Sequence, residues 1–410
     1  MKTITRNNIK VKEVKIENNI IEVDYEISKE LEQFFDMTNK FRVQYGENME
    51  DVPEEIEIIP FISNVLPIIW LTNSTLEIER LDEKYYESIE RTREAFQTIY
   101  PNAKFQGKVI VNKLIKTGDI IKDKKKNCSV FLSGGIDSVS SLVSVIDQKP
   151  LMITIWGTDV WDHNEKGWKS LKGLAVEYSK QLGLKNLFIK TNFRKFIFEH
   201  VLTKELLDGV IDDSWWRGIQ HGIGLLGHVA PYAYKYNIET HYIPATLNVK
   251  SQKGTTCGSC PEIDETVKYA NCHVVHEGYD KTRIEKAAHI VNYFSSRGQT
   301  IKLRVCYMDK GDKLNCCECE KCFLSIMEVL SQKVDPNEWG FDITGEGLRN
   351  SNKFLKKNAS TRPISQEIWV DIKSEFEKDK KFWKKQKDIK WIFKYDPYHR
   401  SLKEKLFNKK

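Results

Sequence analysis

The sequence predicts an α/β protein in which helices wrap a parallel sheet. From Cys128 onward, short apolar runs typical of buried strands alternate with segments of helical periodicity, the pattern of a parallel sheet covered by helices. Before it lie Ile- and Val-rich segments that alternate in the manner of strands, and after it a Lys-rich helical segment with several tryptophans. We therefore expect three parts: a strand-rich N-terminal domain (1–125), an α/β domain (126–332) and a basic helical C-terminal extension (333–410).

The N-terminal part contains three segments with strand character and one with helical periodicity. The predicted strands are "NIKVKEVKIENNIIEVDYEIS", "EEIEIIPFISNVLPIIWL" and "YPNAKFQGKVIVNKLIK", and the predicted helix is "LDEKYYESIERTREAFQTIY". The charged run at 117–127 is typical of a linker.

The middle part predicts a regular alternation of buried strands and helices. The predicted strands are "CSVFL", "LMITIW", "NLFIK", "THYIPA" and "TIKLRVCY". The predicted helices are "DSVSSLVSVI", "KGWKSLKGLAVEYSKQLGL", "DSWWRGIQHGIGLLGHVAPYAYKY" and "TRIEKAAHIVNYFSS".

A glycine loop connects the first of these strands to its helix. Its residues are Ser133, Gly134, Gly135, Ile136, Asp137 and Ser138. Glycines allow the main chain to approach a ligand closely, and the N–H groups at a helix start attract an anion. In an open α/β sheet, ligands bind beyond the carboxyl ends of the strands. The loop therefore predicts a phosphate site, although it lacks the Gly-Lys-Ser/Thr of a Walker A loop.

A second glycine motif, "GIGLLG" at 222–227, satisfies the dinucleotide-binding pattern but follows a predicted helix rather than a strand. We interpret its glycines as positions where a buried helix packs closely against a neighbour.

Nine cysteines are present, and five lie between 306 and 322. Cys306, Cys316, Cys319 and Cys322 have a spacing suited to one tetrahedral zinc ion with a structural role. A set with Cys317 in place of Cys316 stays open. A second, weaker possibility is a site at Cys257 and Cys260 joined by Cys272 and His273, or catalysis by those cysteines.

The loop and the cysteine cluster together resemble the 7-cyano-7-deazaguanine synthase (QueC) family of the adenine nucleotide alpha-hydrolase-like superfamily, the PP-loop ATP pyrophosphatases. The similarity covers about residues 127–330. Residues 1–125 and 333–410 have no counterpart in the free-standing synthase, and enlarged relatives of this kind are associated with anti-phage operons. "CPEIDE" falls where that family has a Cys- and Pro-containing stretch, and "YDKTRIEKA" resembles its lysine segment. Cys317 replaces a family glycine, and the first cysteine gap is one residue longer.

The resemblance implies an AMP-forming carbon–nitrogen ligase that uses ATP, Mg²⁺ and a structural Zn²⁺. The glycine loop would hold the pyrophosphate, with Asp137 acting through magnesium and Lys281 stabilising charge on the leaving group. Arg217 and His221, one helical turn apart, are further candidates for the same cleft. The acid would be 7-carboxy-7-deazaguanine or a similar carboxylate.

Three functions remain open on the sequence alone. The favoured one passes the activated acid to an amine on a partner protein encoded nearby, in anti-phage defence. The others are a synthase that uses ammonia and a tRNA-modifying thiolase. A module that only senses ATP is the non-enzymatic alternative.

Charge and composition limit the partners. Residues 351–410 carry 18 lysines and arginines against 8 acidic residues, which suits solvated surface, an acidic protein or, less favoured, nucleic acid. Among them Trp369, Trp383 and Trp391 are candidate anchors for a partner or for packing onto the α/β domain. No apolar run predicts a membrane span or signal segment. We expect a cytoplasmic protein with reduced cysteines, for which a homodimer is a possible assembly.

Overall fold

A computed structural model describes residues 7–251, 257–306, 313–358 and 363–398. The strands are β1 (Asn8–Glu17), β2 (Ile20–Ile27), β3 (Phe41–Tyr45), β4 (Thr75–Asp82), β5 (Lys108–Ile115), β6 (Asn127–Phe131), β7 (Leu151–Trp156), β8 (Asn186–Thr191), β9 (Ile238–Pro244), β10 (Lys268–Tyr269) and β11 (Cys272–Glu277).

The α-helices are α1 (Lys29–Glu32), α2 (Glu54–Glu57), α3 (Ile59–Leu71), α4 (Glu83–Ile99), α5 (Thr117–Ile121), α6 (Ile136–Val145), α7 (Glu165–Leu182), α8 (Glu199–Leu202), α9 (His221–Gly227), α10 (Ala230–Lys235), α11 (Pro261–Asp264), α12 (Arg283–Ser295), α13 (Glu320–Leu330), α14 (Gly345–Asn358), α15 (Pro363–Lys378) and α16 (Lys380–Trp383). Short 3-10 helices occur at Ile146–Gln148, Pro336–Trp339 and Lys390–Lys394, and π-helical turns at Thr203–Leu207 and Trp216–Gln220.

The strands form one eleven-stranded, mostly parallel sheet in the order β10-β11-β9-β6-β7-β8-β3-β2-β1-β4-β5. Its parallel centre, β11-β9-β6-β7-β8, arises from the alternating strands and helices of the middle part. The α/β class with helices flanking a large sheet is therefore confirmed. The N-terminal strands belong to the same sheet, because β3 pairs antiparallel with β8.

Two hydrophobic cores lie on opposite faces of the sheet, since neighbouring residues of a strand point to opposite faces. On β7, Ile153 packs into the core that holds the N-terminal strands and α3. Met152 packs into the core that holds α6 and α12.

Trp369 and Trp383 of the C-terminal extension are buried in this second core. Trp391 is half-buried and donates a hydrogen bond from Nε1 to the Leu348 carbonyl at 3.0 Å. Burial of Trp369 and Trp383 thus favours the alternative prediction, packing within the protein, over a role as partner anchors, and Trp391 is bonded within the extension.

Three local predictions are wrong. The segment 54–71 forms α2 and α3 instead of a strand, and α3 buries twelve of its thirteen residues. A helix buried on all sides is as continuously apolar as a buried strand, so the pattern could not separate them. Part of the supposed linker forms α5. In the predicted strand "TIKLRVCY", residues 300–306 have no strand structure, and residue 307 lies outside the described residues.

The glycines of "GIGLLG" lie in α9 where the helix packs closely against its neighbours, as predicted: Gly224 and Gly227 face α3, and Gly222 faces Gly258 and Asp264. A Cβ on Gly227 would come within 2.2 Å of Ser63 Oγ, and one on Gly224 within 2.7 Å of Asn64 Oδ1. Both distances are too short for a side chain, so these glycines permit close helix packing. Across the described residues, we find no helix with both the length and the apolar character needed to cross a bilayer.

Candidate functional site

The candidate site lies at the switch point of the parallel strands. The chain leaves β6 toward β7 on one side and later returns to β9 on the other, which opens a crevice at the carboxyl ends of these strands. A cavity of about 270 Å³ occupies this crevice. Its wall includes the ends of β7 and β9 and five of the six glycine-loop residues: Ser133, Gly135, Ile136, Asp137 and Ser138.

Gly134, the remaining loop residue, turns the main chain behind the cavity. Its φ of +81° lies in the left-handed region that favours glycine. A Cβ at this position would lie 2.7 Å from Leu174 Cδ2. The Gly134 carbonyl accepts a hydrogen bond from the Arg304 N–H at 2.8 Å. The turn directs the N-terminus of the ten-residue helix α6 toward the cavity.

We expect Gly134→Ala to lower the free energy of unfolding by about 1–3 kcal/mol, from left-handed strain and the contact with Leu174. Urea denaturation would measure it. Gly173→Ala is the matched control, because Gly173 lies inside α7 and a Cβ added there would meet no atom within 4 Å. A Gly134→Ala protein as stable as the Gly173→Ala protein would contradict the assigned role of the turn.

The two serines of the loop hold each other. Ser138 Oγ accepts a hydrogen bond from the Ser133 N–H at 3.2 Å and donates one to the Gly135 carbonyl at 3.1 Å. Ser133 Oγ lies 3.1 Å from Ser138 Oγ. The hydroxyls therefore fix the loop shape while remaining on the cavity wall.

Asp137 is held by two cations of α12. Arg283 donates a hydrogen bond to Asp137 Oδ2 at 2.7 Å, and Lys286 donates one to Oδ1 at 3.1 Å. Burial alone would raise the pKa of Asp137, but the charges of Arg283 and Lys286 outweigh it and the pKa is lowered. Arg283 also pairs with the fully buried Glu328 at 2.9 Å. Asp137 is thus an ionised member of a buried charge network.

The wall is rich in cations. Arg283, Arg304 and Lys321 line the cavity, against the carboxylates Asp137 and Asp159. Because Arg283 is already paired with Asp137 and Glu328, it is Arg304 and Lys321, together with the N-terminus of α6, that favour an anion here.

Lys281 and Arg217 lie elsewhere. Lys281 pairs with Glu277 at 3.6 Å and Asp280 at 3.4 Å, and Arg217 pairs with Asp213 at 2.6 Å. The cavity wall, as far as the structure describes it, includes neither Lys281 nor Arg217. His221, from the same segment as Arg217, does line the cavity.

Sequence reasoning missed Arg283 and Lys286, although a signal was present. Thr282 caps α12 with a capping box, so Arg283 and Lys286 are three residues apart in the helix and share one face. Lys281 lies before the capping residue Thr282, outside the helix, so it does not belong to that face. Helical periodicity counted from Thr282 predicts that Arg283 and Lys286 lie on the same side of α12.

The variants Lys286→Met and Lys281→Met test this choice of residues. We expect Lys286→Met to lower ligand-dependent turnover by about a hundredfold or more, because it removes a cation beside Asp137. Lys281→Met should change turnover less than about threefold, since Lys281 lies outside the cavity wall and is partly exposed, as is its partner Asp280. Nucleotide binding by calorimetry and a steady-state rate would measure both. Equal losses in the two variants would contradict the assignment.

One end of the cavity is aromatic and polar. Trp216 and His221 line it, and burial lowers the pKa of His221, while Asp159 and Asp264 act in the opposite direction. Ser259 also lines it and donates a hydrogen bond to Asp264 Oδ2 at 2.7 Å. This end suits a flat ring with polar edges.

The four predicted cysteines come together. The Sγ atoms of Cys306, Cys316, Cys319 and Cys322 all lie within 4.8 Å of one another, a set that suits a tetrahedral ion such as zinc. Cys317 is outside the group, since its Sγ accepts a hydrogen bond from the Asp342 N–H at 3.3 Å. The set that includes Cys316 is therefore the one formed.

The cluster fixes the segment beside the glycine loop. Asn315 Oδ1 accepts hydrogen bonds from the Val305 and Cys306 N–H groups at 2.9 and 3.2 Å. Cys306 itself lines the cavity, and Arg304 holds the Gly134 carbonyl. The expected zinc site therefore secures a loop against the glycine turn, where the sequence predicted a strand.

Cys257, Cys260 and Cys272 form no second cluster. Within the described residues, the group at Cys306–Cys322 is the sole set of metal-ligating side chains found close together. Burial raises the pKa of Cys257 to about 11 and raises the pKa of Cys260 and Cys272 further. At neutral pH these thiols are protonated, unlike reactive thiolates.

Comparison of the whole chain with protein-family models, with curated proteins and with solved structures finds no match. The function proposed below therefore rests on the geometry of the glycine loop, the cavity and the cysteine cluster, together with the sequence resemblance.

Proposed function

We propose that this chain is an ATP-dependent, AMP-forming ligase that adenylates a carboxylate and passes the acyl group to an amine. The observation that carries this proposal is the glycine loop at the sheet switch point, with Asp137 tied to Arg283 and Lys286 beneath it. The acid is 7-carboxy-7-deazaguanine or a similar planar carboxylate, and the acceptor is an amine on a partner protein that acts in anti-phage defence.

In this proposal the loop binds the polyphosphate of ATP. The N–H groups at the start of α6 and the side chains of Arg304 and Lys321 would face the phosphates. A carboxylate is a poor acyl donor, and its adenylate has AMP as a good leaving group. Cations near the loop stabilise the charge that grows on the pyrophosphate as the bond to the α-phosphate breaks.

Asp137 has an indirect part in this chemistry. Its carboxylate orients Arg283, whose guanidinium lines the cavity. Asp137 and Asp159 are the carboxylates on the wall that fit the Mg²⁺ accompanying ATP, although both Asp137 oxygens already receive hydrogen bonds from cations. When bound, the ion would neutralise phosphate charge.

The acid would lie at the aromatic and polar end of the cavity. Trp216 offers a ring for stacking, and His221 and Ser259 offer hydrogen bonds to the edge of a heterocycle. A thiolase is less favoured, because Cys257, Cys260 and Cys272 are buried thiols of raised pKa.

ATP–pyrophosphate exchange tests the proposal. Purified protein with ATP, Mg²⁺ and 7-carboxy-7-deazaguanine should exchange labelled pyrophosphate into ATP, and exchange should stop when the acid is omitted. An absence of exchange with the acid present would overturn adenylation.

Intact-mass spectrometry of the partner protein then identifies the acceptor. After incubation with enzyme, ATP and acid, the partner should gain one deazaguanine group. Free nitrile formed from ammonia, with the partner's mass unchanged, would show a synthase.

A further inference from the structure

A second cavity, of about 130 Å³, adjoins the candidate ATP site. The two cavities share Thr246 and Arg283 in their walls. A ligand in the second cavity would therefore approach the first cavity past Thr246 and Arg283, and Arg283 is bonded to Asp137 of the glycine loop.

The outer wall of this cavity comes from the C-terminal extension. Helix α15 contributes Glu367 and Asp371, which are four residues apart and so lie on one helical face. Among the described residues, neither carboxylate has a hydrogen-bond or ion-pair partner. Asp371 is half-buried, and burial raises its pKa, with Lys250 acting in the opposite direction and Glu285 in the same one.

The inner wall is the turn at 248–251, which is well fixed. Asn248 Oδ1 accepts hydrogen bonds from the Lys250 and Ser251 N–H groups at 2.9 and 3.1 Å, and Ser251 Oγ accepts one from the Asn248 N–H at 2.9 Å. Lys250 is exposed. The charge of Arg283 is already matched by Asp137 and Glu328, so the unmatched charge of the wall is negative.

We propose that this second cavity is the entry site for the acceptor amine, and that Glu367 and Asp371 bind it as an ammonium group. The inference rests on the proposed function and assigns the acceptor side of the same reaction. A cavity of this size admits an aminoalkyl chain, such as a lysine side chain, while the rest of a protein partner stays outside.

The ammonium group loses two protons as the amide forms. The ammonium gives one proton to a carboxylate of the cavity, and the free amine attacks the acyl carbon. The new C–N bond forms as the C–O bond to AMP breaks, and its electron pair leaves with AMP. The nitrogen then releases its second proton to solvent.

The test compares two nucleophiles in the double variant Glu367→Gln/Asp371→Asn. Nα-acetyllysine amide is an ammonium at neutral pH, and hydroxylamine is largely uncharged. With the charged probe, kcat/KM for amide formation should fall by about a hundredfold, the lower end of what proton transfer to a placed base contributes. With hydroxylamine, and in ATP–pyrophosphate exchange, the variant should match the wild type. Both substitutions keep side-chain size, so folding is retained.

Two further variants test whether the effect depends on the charges in the cavity wall. Glu377→Gln, on α15 but outside this cavity wall, should leave both nucleophiles unaffected. Lys250→Met should lower the KM for the charged probe, since it removes a like charge. Unchanged use of Nα-acetyllysine amide by the double variant would overturn the inference, as would a loss of exchange, which would place the carboxylates in adenylation. If the wild type itself shows no exchange, it is the proposed function that fails.

Discussion

Asp137→Asn should lower ATP–pyrophosphate exchange by about a hundredfold to a thousandfold, the range seen when a fixed electrostatic group of an active site is removed. The substitution keeps the shape of the side chain and removes the charge that holds Arg283 and Lys286. The cations would then lose their fixed positions at the loop. The stability cost should be about 3 kcal/mol or less, because Arg283 keeps Glu328 as a partner. Exchange kinetics and urea denaturation would measure the two effects.

Asp147→Asn is the matched control, since Asp147 is exposed just after α6. It should retain wild-type exchange and stability. Full exchange activity in Asp137→Asn would remove this carboxylate, and the network built on it, from the proposed mechanism.

The lowered pKa of Asp137 also sets the direction of a pH effect. A carboxyl whose folded pKa is depressed contributes stability that is present above its ordinary pKa, 3.8, and is lost as the pH falls through the lower folded value. The stability difference between wild type and Asp137→Asn should therefore shrink as the pH is lowered below about 3.8. A difference that grows on acidification would show the opposite shift.

Cys319→Ser should release the metal and unfold the segment around the cluster. Purified wild-type protein should contain about one equivalent of zinc if all four thiolates bind one ion. Structural zinc contributes folding free energy of order 10 kcal/mol in small domains, so the melting temperature should fall sharply. Because Arg304 and Cys306 lie beside the glycine loop, nucleotide binding should weaken with it. Metal analysis, thermal melting and calorimetry would measure these changes.

Cys317→Ser separates metal binding from the general effect of changing a buried cysteine. Cys317 is as buried as Cys316 but lies outside the four-sulfur group. This variant should keep its zinc. A metal-free wild type that is fully folded, or equal zinc loss in both variants, would contradict the assignment.

The sequence predicted four of the five strands of the parallel centre, β6, β7, β8 and β9, because buried strands and amphipathic helices differ in length and period. It missed β11 (Cys272–Glu277). It failed at 54–71, where every side of the segment is buried and the period disappears. It also could not show that β3 pairs with β8, since residues 43–45 and 189–191 are far apart in the chain. Strand order across such a distance depends on the whole fold.

In the candidate site, too, local patterns were predictable and contacts between distant residues were not. The glycine loop and the four cysteines are local patterns whose spacing carries their chemistry, and the structure brings each group together. The cations around Asp137 come from α12, which follows it by nearly 150 residues, and only the tertiary fold brings them to the loop. The resemblance directed attention to Lys281, whose side chain lies among acidic neighbours instead.

The pairing of β3 with β8 has a consequence for any attempt to isolate the α/β part. A fragment of residues 126–332 would end its sheet at β8, whose N–H and C=O groups toward β3 would lose their partners. It would also uncover the face that Ile189 and Phe193 share with Phe41 and Phe61. An open strand edge next to bare apolar surface is a template for self-association. The N-terminal strands are therefore this protein's own protection against aggregation, and a fragment that begins at residue 126 would be recovered as insoluble material.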